Sequence, residues 1–149
     1  MHYRVERFKM KHFDNFEIRD PQKKDFEVLS NDVRLQEMWE QEYPMFTLFA
    51  EDKPIMLYGM INGGLGTYFP MAFVSQDVDK HLRTVIRCMY DYLDHWVAND
   101  MRRFEARVAV DDIPAMRFIE FFGFEPIGIS RQSSASGCDQ VIYERLARR

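Results

Sequence analysis

The stretch from residue 103 to residue 128 constrains the fold more than any other part of this chain. Apolar and more polar residues alternate over residues 103–110, which is the period of a strand with one buried face. A helix is predicted next, because Asp111 or Asp112 can accept backbone N–H groups at its start. Gly123 ends that helix, since glycine adopts positive φ at little cost. The stretch therefore predicts a strand, a capped helix and the start of a second strand.

Composition indicates one domain and narrows its partners. A chain of 149 residues that is 46% hydrophobic and 15% aromatic can build a core, and we expect a single domain over residues 1–149. The formal net charge of -4 argues against general nucleic-acid binding, which depends on neutralised phosphates. No apolar run approaches the length of about 20 residues that crosses a bilayer, and the first residues lack a signal-peptide core. We therefore expect a cytoplasmic protein without membrane contact.

The cysteines and histidines do not form a predicted metal or redox site. Cys88 and Cys138 lack metal or redox spacing and are interpreted as reduced thiols. His81 and His95 fall on one predicted helix, where helical rise separates them by about 21 Å, too far to share a metal ion. No metal is expected.

The remaining elements follow from their own periodicities. Two helices are predicted before residue 45, one short and centred on Phe13 and Phe16, followed by a surface loop to residue 25, the other capped by Asn31 or Asp32. The other predicted elements are strands at residues 3–9, 45–50, 55–61 and 68–74, a long amphipathic helix at 79–99, and a closing hairpin of 126–131 with 140–146. Asn62-Gly63 predicts a hairpin turn rather than a phosphate-binding loop, because it lies between two strands. Pro70 predicts an edge, a bulge or a local opening of the sheet.

Residues 112–124 resemble the closing motif of a known superfamily. Asp112, Ala115, Ile119, Gly123 and Phe124 stand at the five positions of N-x-x-A-x-x-x-Y-x-x-x-G-F in the GNAT acyl-CoA-dependent N-acyltransferases. The order of predicted elements is also the GNAT order throughout. The resemblance implies an α+β fold with a central, mostly antiparallel sheet of about six or seven strands. One parallel pair of strands would be splayed, and about four helices would flank the sheet.

The resemblance also implies positions for acetyl-CoA. In GNAT proteins the splayed strand bonds the pantetheine arm, and the N-terminus of the following helix holds the pyrophosphate. The corresponding cofactor-binding positions in this sequence are Phe73, Val74, His81, Thr84 and Asp112.

The sequence departs from the GNAT pattern at the residues that carry chemistry. The family's tyrosine, often the general acid, is replaced by Ile119, which has no proton to give. The glycines of the phosphate-binding turn are absent, since residues 69–96 contain no glycine, and Ile86 should obstruct the close backbone approach. No cofactor is therefore expected, and the catalytic residues remain unassigned.

Four side chains are candidates for a replacement general acid or base. Glu105 and Arg107 could face the acceptor cleft, although a paired structural role is favoured. Tyr68 and Glu51 are weak candidates for an acid or a base.

A narrower resemblance covers residues 55–145. The runs YGMING, AFVSQDV and VDDIPAMRFIEFFGF are similar to those of the small GNAT-like internal virion proteins of short-tailed bacteriophages. This resemblance implies a virion-associated or assembly protein that is made in the host cytoplasm, is packaged in the virion and acts by protein–protein interaction. The alternative is an active acetyl-CoA-dependent N-acetyltransferase that acetylates a primary amine on a small molecule or protein.

An aromatic surface is predicted as the binding face for that partner. The second helix and the strands between residues 43 and 69 are rich in aromatic residues, and an exposed cluster of them would mark a partner-binding face. The partner would be a second copy or a virion component. The aromatic residues concerned are Trp39, Tyr43, Phe46, Phe49, Tyr58, Tyr68 and Phe69.

Overall fold

A computed structural model describes residues 1–42, 44–99 and 101–147. These residues form seven strands, four α-helices and three 3-10 turns. In chain order the strands and helices are β1 (Tyr3–Arg7), α1 (Lys23–Ser30), α2 (Val33–Gln41), β2 (Met45–Ala50), β3 (Lys53–Gly64), β4 (Thr67–Val74), α3 (Leu82–Ala98), β5 (Arg103–Ala109), α4 (Ile113–Phe121), β6 (Glu125–Ser130) and β7 (Gln140–Leu146). The 3-10 turns are Met10–Phe13, Asp20–Gln22 and Val78–His81.

The strands form one sheet in the order β1-β2-β3-β4-β5-β7-β6. Every neighbouring pair is antiparallel except β4 and β5, which run parallel. The predicted mixed fold with one parallel pair is therefore confirmed.

Each face of the sheet carries its own hydrophobic core. Phe26 of α1 and Trp39 of α2 pack on one face with Leu57 of β3. Val85 and Leu93 of α3 belong to the larger cluster on the other face, which also receives Phe122 after α4. The sheet is thus enclosed between two helical layers, as the amphipathic patterns require.

Helix α4 has the predicted caps at both ends. The Asp112 carboxylate accepts the Ala115 N–H at 3.3 Å at the helix start. At the other end Gly123 has φ of +86°, and the N–H groups of Gly123 and Phe124 donate to the carbonyls of Glu120 and Ile119. This is the Schellman pattern, which satisfies the last helical carbonyls.

The region before α2 differs from the prediction. Phe13 ends a 3-10 turn, Phe16 lies outside any helix, and the expected loop becomes helical at Lys23. The helix was missed because α1 is only eight residues long and carries one buried residue, Phe26. Pro21, which indicated a loop, is accommodated in the 3-10 turn that precedes α1, where its missing N–H is harmless.

The hairpin between β3 and β4 is confirmed, but its turn lies further along the chain than predicted. Asn62 and Gly63 belong to β3, and the two turn residues are Leu65 and Gly66, both with positive φ. A Cβ on Gly63 would lie 2.2 Å from the Phe69 ring. The glycine therefore serves close packing in the strand rather than the turn.

The exposed aromatic cluster that would mark a partner-binding face is not found among the described residues of this region. Trp39, Phe49 and Tyr58 are each no more than 5% exposed. Trp39 and Tyr58 belong to the two cores, and the Phe49 ring packs 5.1 Å from that of His12. Phe46, Tyr68 and Phe69 are half-buried, and Tyr43 lies outside the described residues. The aromatic content of this region serves packing, so a partner-binding face has to be sought elsewhere.

The buried His12 should make stability depend on pH. Its Nδ1 lies 2.7 Å from the Thr47 hydroxyl oxygen and accepts the Lys9 N–H at 3.2 Å. Burial lowers the pKa of His12 below its ordinary value of 6.5. The unfolded chain then takes up a proton near pH 6.5 while the folded chain does so only at lower pH. The free energy of unfolding should hold above pH 6.5 and fall as the pH decreases below it.

Urea unfolding on either side of that pH measures the dependence. His12→Gln should flatten it, whereas His95→Gln, at an exposed histidine of α3, should leave it unchanged. Equal pH dependence in the wild type and His12→Gln would contradict the assignment.

Candidate functional site

The sheet opens between β4 and β5. These strands pair only at Thr67 with Arg103 and at Tyr68 with Phe104. Beyond that point β5 continues against β7, while β4 stays with β3 to Val74. Pro70 lies just past the last parallel pair, so the predicted local opening is confirmed. The gap leaves the edge of β4 that faces away from β3 without a neighbouring strand.

A segment of the same chain fills this edge. We call residues 17–22 the covering segment. The Gln22 side chain donates to the Ala72 carbonyl at 2.9 Å and accepts the Val74 N–H at 3.1 Å. The Arg19 N–H donates to the Val74 carbonyl at 3.1 Å. Ile18 also pairs with Ser75 as an antiparallel bridge. Residues 17–19 therefore pair with the end of β4 through their backbone, and Gln22 occupies the next edge groups through its side chain.

An ion pair joins the covering segment to the far side of the gap. The Arg19 guanidinium contacts both carboxylate oxygens of Asp112, with Nη1 to Oδ2 at 2.8 Å and Nη2 to Oδ1. The Arg19 side chain is 13% exposed and that of Asp112 is 4% exposed, so the pair is largely shielded from solvent. Such two-pronged contacts are the strongest charge-assisted hydrogen bonds. Because Asp112 follows β5 and caps α4, the pair ties the two diverging halves of the sheet together.

The other predicted cofactor-binding residues lie along β4 and at the start of α3. Phe73 is buried, with its ring 5.7 Å from that of Phe26. His81 precedes α3, and its Nδ1 lies 3.0 Å from the Tyr3 hydroxyl oxygen. Thr84 is half-buried in the first turn, and Ile86 packs against the core one turn into the helix. The structure thus brings Val74 and Asp112 to one gap, with His81 and Thr84 at the helix that follows β4.

The connection from β4 to α3 carries a carboxylate with two cations. Asp77 accepts from Lys53 Nζ at 2.6 Å and from Lys80 Nζ at 3.0 Å. These hydrogen bonds, the one from Lys53 foremost, hold the pKa of Asp77 at about 2. Asp77 therefore stays ionised at neutral pH, and both nearby lysines already have an anionic partner.

The candidate replacement acids and bases have structural partners. Glu105 lies 3.0 Å from Arg103 and 3.6 Å from Arg107, which is the paired arrangement favoured above. The Tyr68 ring packs 5.0 Å from that of Trp96. Glu51 lies in the turn between β2 and β3 and accepts the His2 N–H at 2.8 Å.

Metal and membrane features can be stated for the described ranges. Across residues 1–42, 44–99 and 101–147, no three His, Cys, Asp or Glu side chains come together in a group that could hold a metal ion. In the same ranges, no helix is both long and apolar enough to cross a membrane.

Arg19 and Gln22 were missed from the sequence because their region is charged and of mixed sign. One signal was present: Phe16 and Ile18 are apolar and alternate with Glu17 and Arg19, which is the period of a short strand. Both apolar residues are buried. Which strand would receive this segment could not be read from the alternation.

Comparison with known proteins shows the fold through solved structures. No protein-family model and no curated protein matches the chain. The structure is similar to Ard1 from Thermoplasma volcanium, with a TM-score of 0.73, 11% identity and 97% of each chain covered. It is similar to an N-acetyltransferase from Staphylococcus aureus Mu50, with a TM-score of 0.67, 10% identity and coverage of 99% of this chain and 100% of that one.

A third solved structure, the ribosomal-protein-S18-alanine N-acetyltransferase from Escherichia coli, has a TM-score of 0.65 and 15% identity, over 98% of this chain and 94% of that one. All three identities are too low to carry function, which resides in sites rather than folds. The chain has the GNAT N-acetyltransferase fold over nearly its whole length.

Proposed function

We propose that this chain is a GNAT-fold protein that acts by associating with protein and does not take up acetyl-CoA. The covering segment on β4 is the observation that carries the proposal. Val74 donates its N–H to Gln22, and its carbonyl accepts from Arg19. In the family resemblance these edge groups of β4 would bond the pantetheine arm. The groups present do not fit the cofactor, because a segment of the chain already uses them.

The start of α3 supports the same proposal. A pyrophosphate needs free N–H groups and closely approaching backbone, which the family supplies with glycines. The connection between β4 and α3 contains no glycine. Asp77 also places an ionised carboxylate directly before the 3-10 turn in this connection. The general acid is also missing, since Ile119 is apolar and half-buried against the core.

The partner class comes from the narrower sequence resemblance. Internal virion proteins are associated with virion assembly. We therefore propose a protein partner, either a virion component or a second copy. An active acetyltransferase would require the covering segment to leave β4 and the Arg19–Asp112 pair to open.

Calorimetric titration with acetyl-CoA tests the proposal. We expect no binding at sub-millimolar cofactor, because the covering segment occupies the pantetheine edge and the phosphate end has no glycine to allow close backbone approach. Micromolar affinity, which corresponds to about -8 kcal/mol, would overturn the proposal and favour the acetyltransferase.

A Gln22→Leu variant separates the two obstacles to binding. Leucine is similar in size to glutamine but cannot bond Ala72 or Val74, so it frees the Ala72 carbonyl and the Val74 N–H while the α3 start is unchanged. We expect no acetyl-CoA binding by this variant either. Binding by Gln22→Leu alone would contradict the proposal, since the cofactor site would then be intact beneath the covering segment.

A further inference from the structure

Helix α4 is apolar on nearly every side and yet lies at the surface. Its sequence IPAMRFIEF contains one cation and one anion, but none of its nine residues is fully buried. A helix with apolar residues all round is ordinarily enclosed by other elements. Part of its apolar surface therefore lacks a cover within the described residues.

The uncovered surface continues onto the edge of the sheet. Strand β6 forms one edge of the sheet, and its residues from Glu125 to Ile129 are all exposed. A groove of about 640 Å3 runs between α3, α4 and the ends of β6 and β7. Phe121 and Ile127 line it and are 56% and 52% exposed. The rest of its lining is both apolar and charged, and includes Tyr90, Leu146, Glu125, Glu144 and Arg145. Exposed clusters of large apolar side chains are typical of protein-binding surfaces.

The charges on the exposed side of α4 indicate which class of partner it fits. Ile113, Arg117, Glu120 and Phe121 are all exposed and recur at helical spacing, so they share one side of the helix. Within the described ranges, the Arg117 guanidinium has no ion-pair or hydrogen-bond partner. Glu120 accepts the Tyr143 hydroxyl at 3.3 Å through Oε1, and its second carboxylate oxygen has no ion-pair or hydrogen-bond partner among the described residues. One cation and one anion three residues apart make this side neutral and self-complementary.

We propose that the exposed side of α4, with the adjoining groove, is the interface with a second copy of this chain. When two copies of α4 pack antiparallel about a two-fold axis between residues 118 and 119, each Arg117 faces Glu120 of the other copy. The two-fold axis generates this contact twice, as in any isologous interface. The inference rests on the proposed function, because it names the protein partner that the proposal requires.

Two other partner classes fit this surface less well. Nucleic acid is bound by several cations that neutralise phosphates, and this side of α4 carries a single arginine beside a glutamate. Membrane-surface helices carry many Lys and Arg residues on their polar side, which α4 lacks. Exposed apolar side chains bordered by charged residues, here Glu125, Glu144 and Arg145 along the groove, are typical of association between proteins.

Light scattering on the purified 149-residue chain tests the oligomeric state. We expect a species of twice the 17.9 kDa monomer mass at tens of micromolar. Arg117→Glu and Glu120→Arg should each weaken dimerisation by about tenfold or more, because like charges then face each other across the axis. Both side chains are exposed, and circular dichroism should confirm that each variant is folded, above all Glu120→Arg, which loses the acceptor of the buried Tyr143 hydroxyl.

Mixing the two variants makes the test specific. In an equimolar mixture, Arg117→Glu places two carboxylates opposite the two guanidinium groups of Glu120→Arg, so a mixed dimer should form where neither variant dimerises alone. Arg83→Glu, at an exposed arginine of α3, is the matched control and should stay dimeric.

A monomeric wild type would overturn the proposal, and the surface would then belong to a different protein. Unchanged dimerisation of both charge variants, or failure of the mixture to recover the dimer, would also overturn it. None of these outcomes depends on the acetyl-CoA titration, so this inference and the proposed function fail separately.

Discussion

Replacing Arg19 with methionine should lower the free energy of unfolding by about 3–5 kcal/mol, the typical cost of removing one partner from a buried ion pair. The variant leaves Asp112 with its side chain 4% exposed and without the guanidinium that binds both of its oxygens. The N–H of Ala115 continues to donate to Asp112 but does not neutralise the charge. Urea unfolding followed by circular dichroism measures the loss.

A double-mutant cycle separates the ion pair from other effects of Arg19. Asp112→Asn keeps a side-chain oxygen for capping α4 but removes the negative charge. Combined with Arg19→Met, it should restore most of the lost stability, because no unpaired charge remains buried. Arg83→Met, at an exposed arginine, should change stability by no more than about 0.5 kcal/mol. A loss below about 1 kcal/mol for Arg19→Met would show that the pair behaves like one at the surface.

Trp39→Glu should abolish cooperative folding. Trp39 is 2% exposed, and its ring packs against those of Phe8, Phe13 and Phe73. Truncating a buried tryptophan to alanine costs about 3–5 kcal/mol, and glutamate adds the cost of a buried, unpaired charge. Because a domain of this size has a total stability of about 5–15 kcal/mol, little or none should remain. A thermal scan by circular dichroism should show no transition.

The neighbouring Met38 gives the matched control for that loss. It lies on the same helix but is 36% exposed, so Met38→Glu should keep a cooperative transition close to that of the wild type. A folded Trp39→Glu protein with the wild-type transition would contradict the burial of Trp39.

The sequence predicted the elements whose signals are local. The caps of α4 at Asp112 and Gly123, the opening of the sheet at Pro70 and the amphipathic α3 follow from residue types within one or two turns of each feature. The parallel pairing of β4 with β5 followed from the order of elements and the family resemblance. All of these are present in the structure.

What the sequence did not predict depends on contacts between distant residues. Arg19 meets Asp112 across 93 residues, and Gln22 meets Val74 across 52. A charged segment for which the sequence indicates no pairing strand is typical of a solvated loop, so its docking on β4 could not be predicted. The burial of Trp39 could not be predicted for a related reason, because helical periodicity alone does not say which aromatic residues the sheet will cover.

The covering segment has a consequence for the protein's colloidal behaviour. A strand that diverges from its neighbour leaves a row of unpaired N–H and C=O groups, which can template pairing with other chains and lead to aggregation. Residues 17–22 occupy that row on β4 with groups of their own chain, and the Arg19–Asp112 pair holds them there. The outer edge at β6 has a different protection, since Pro126 removes a donor and the register shift between Pro126 and Gly128 interrupts the regular ladder. Weakening the docking of residues 17–22 would therefore leave an unprotected strand edge on β4, and we expect pairing at that edge to lower the solubility of the protein.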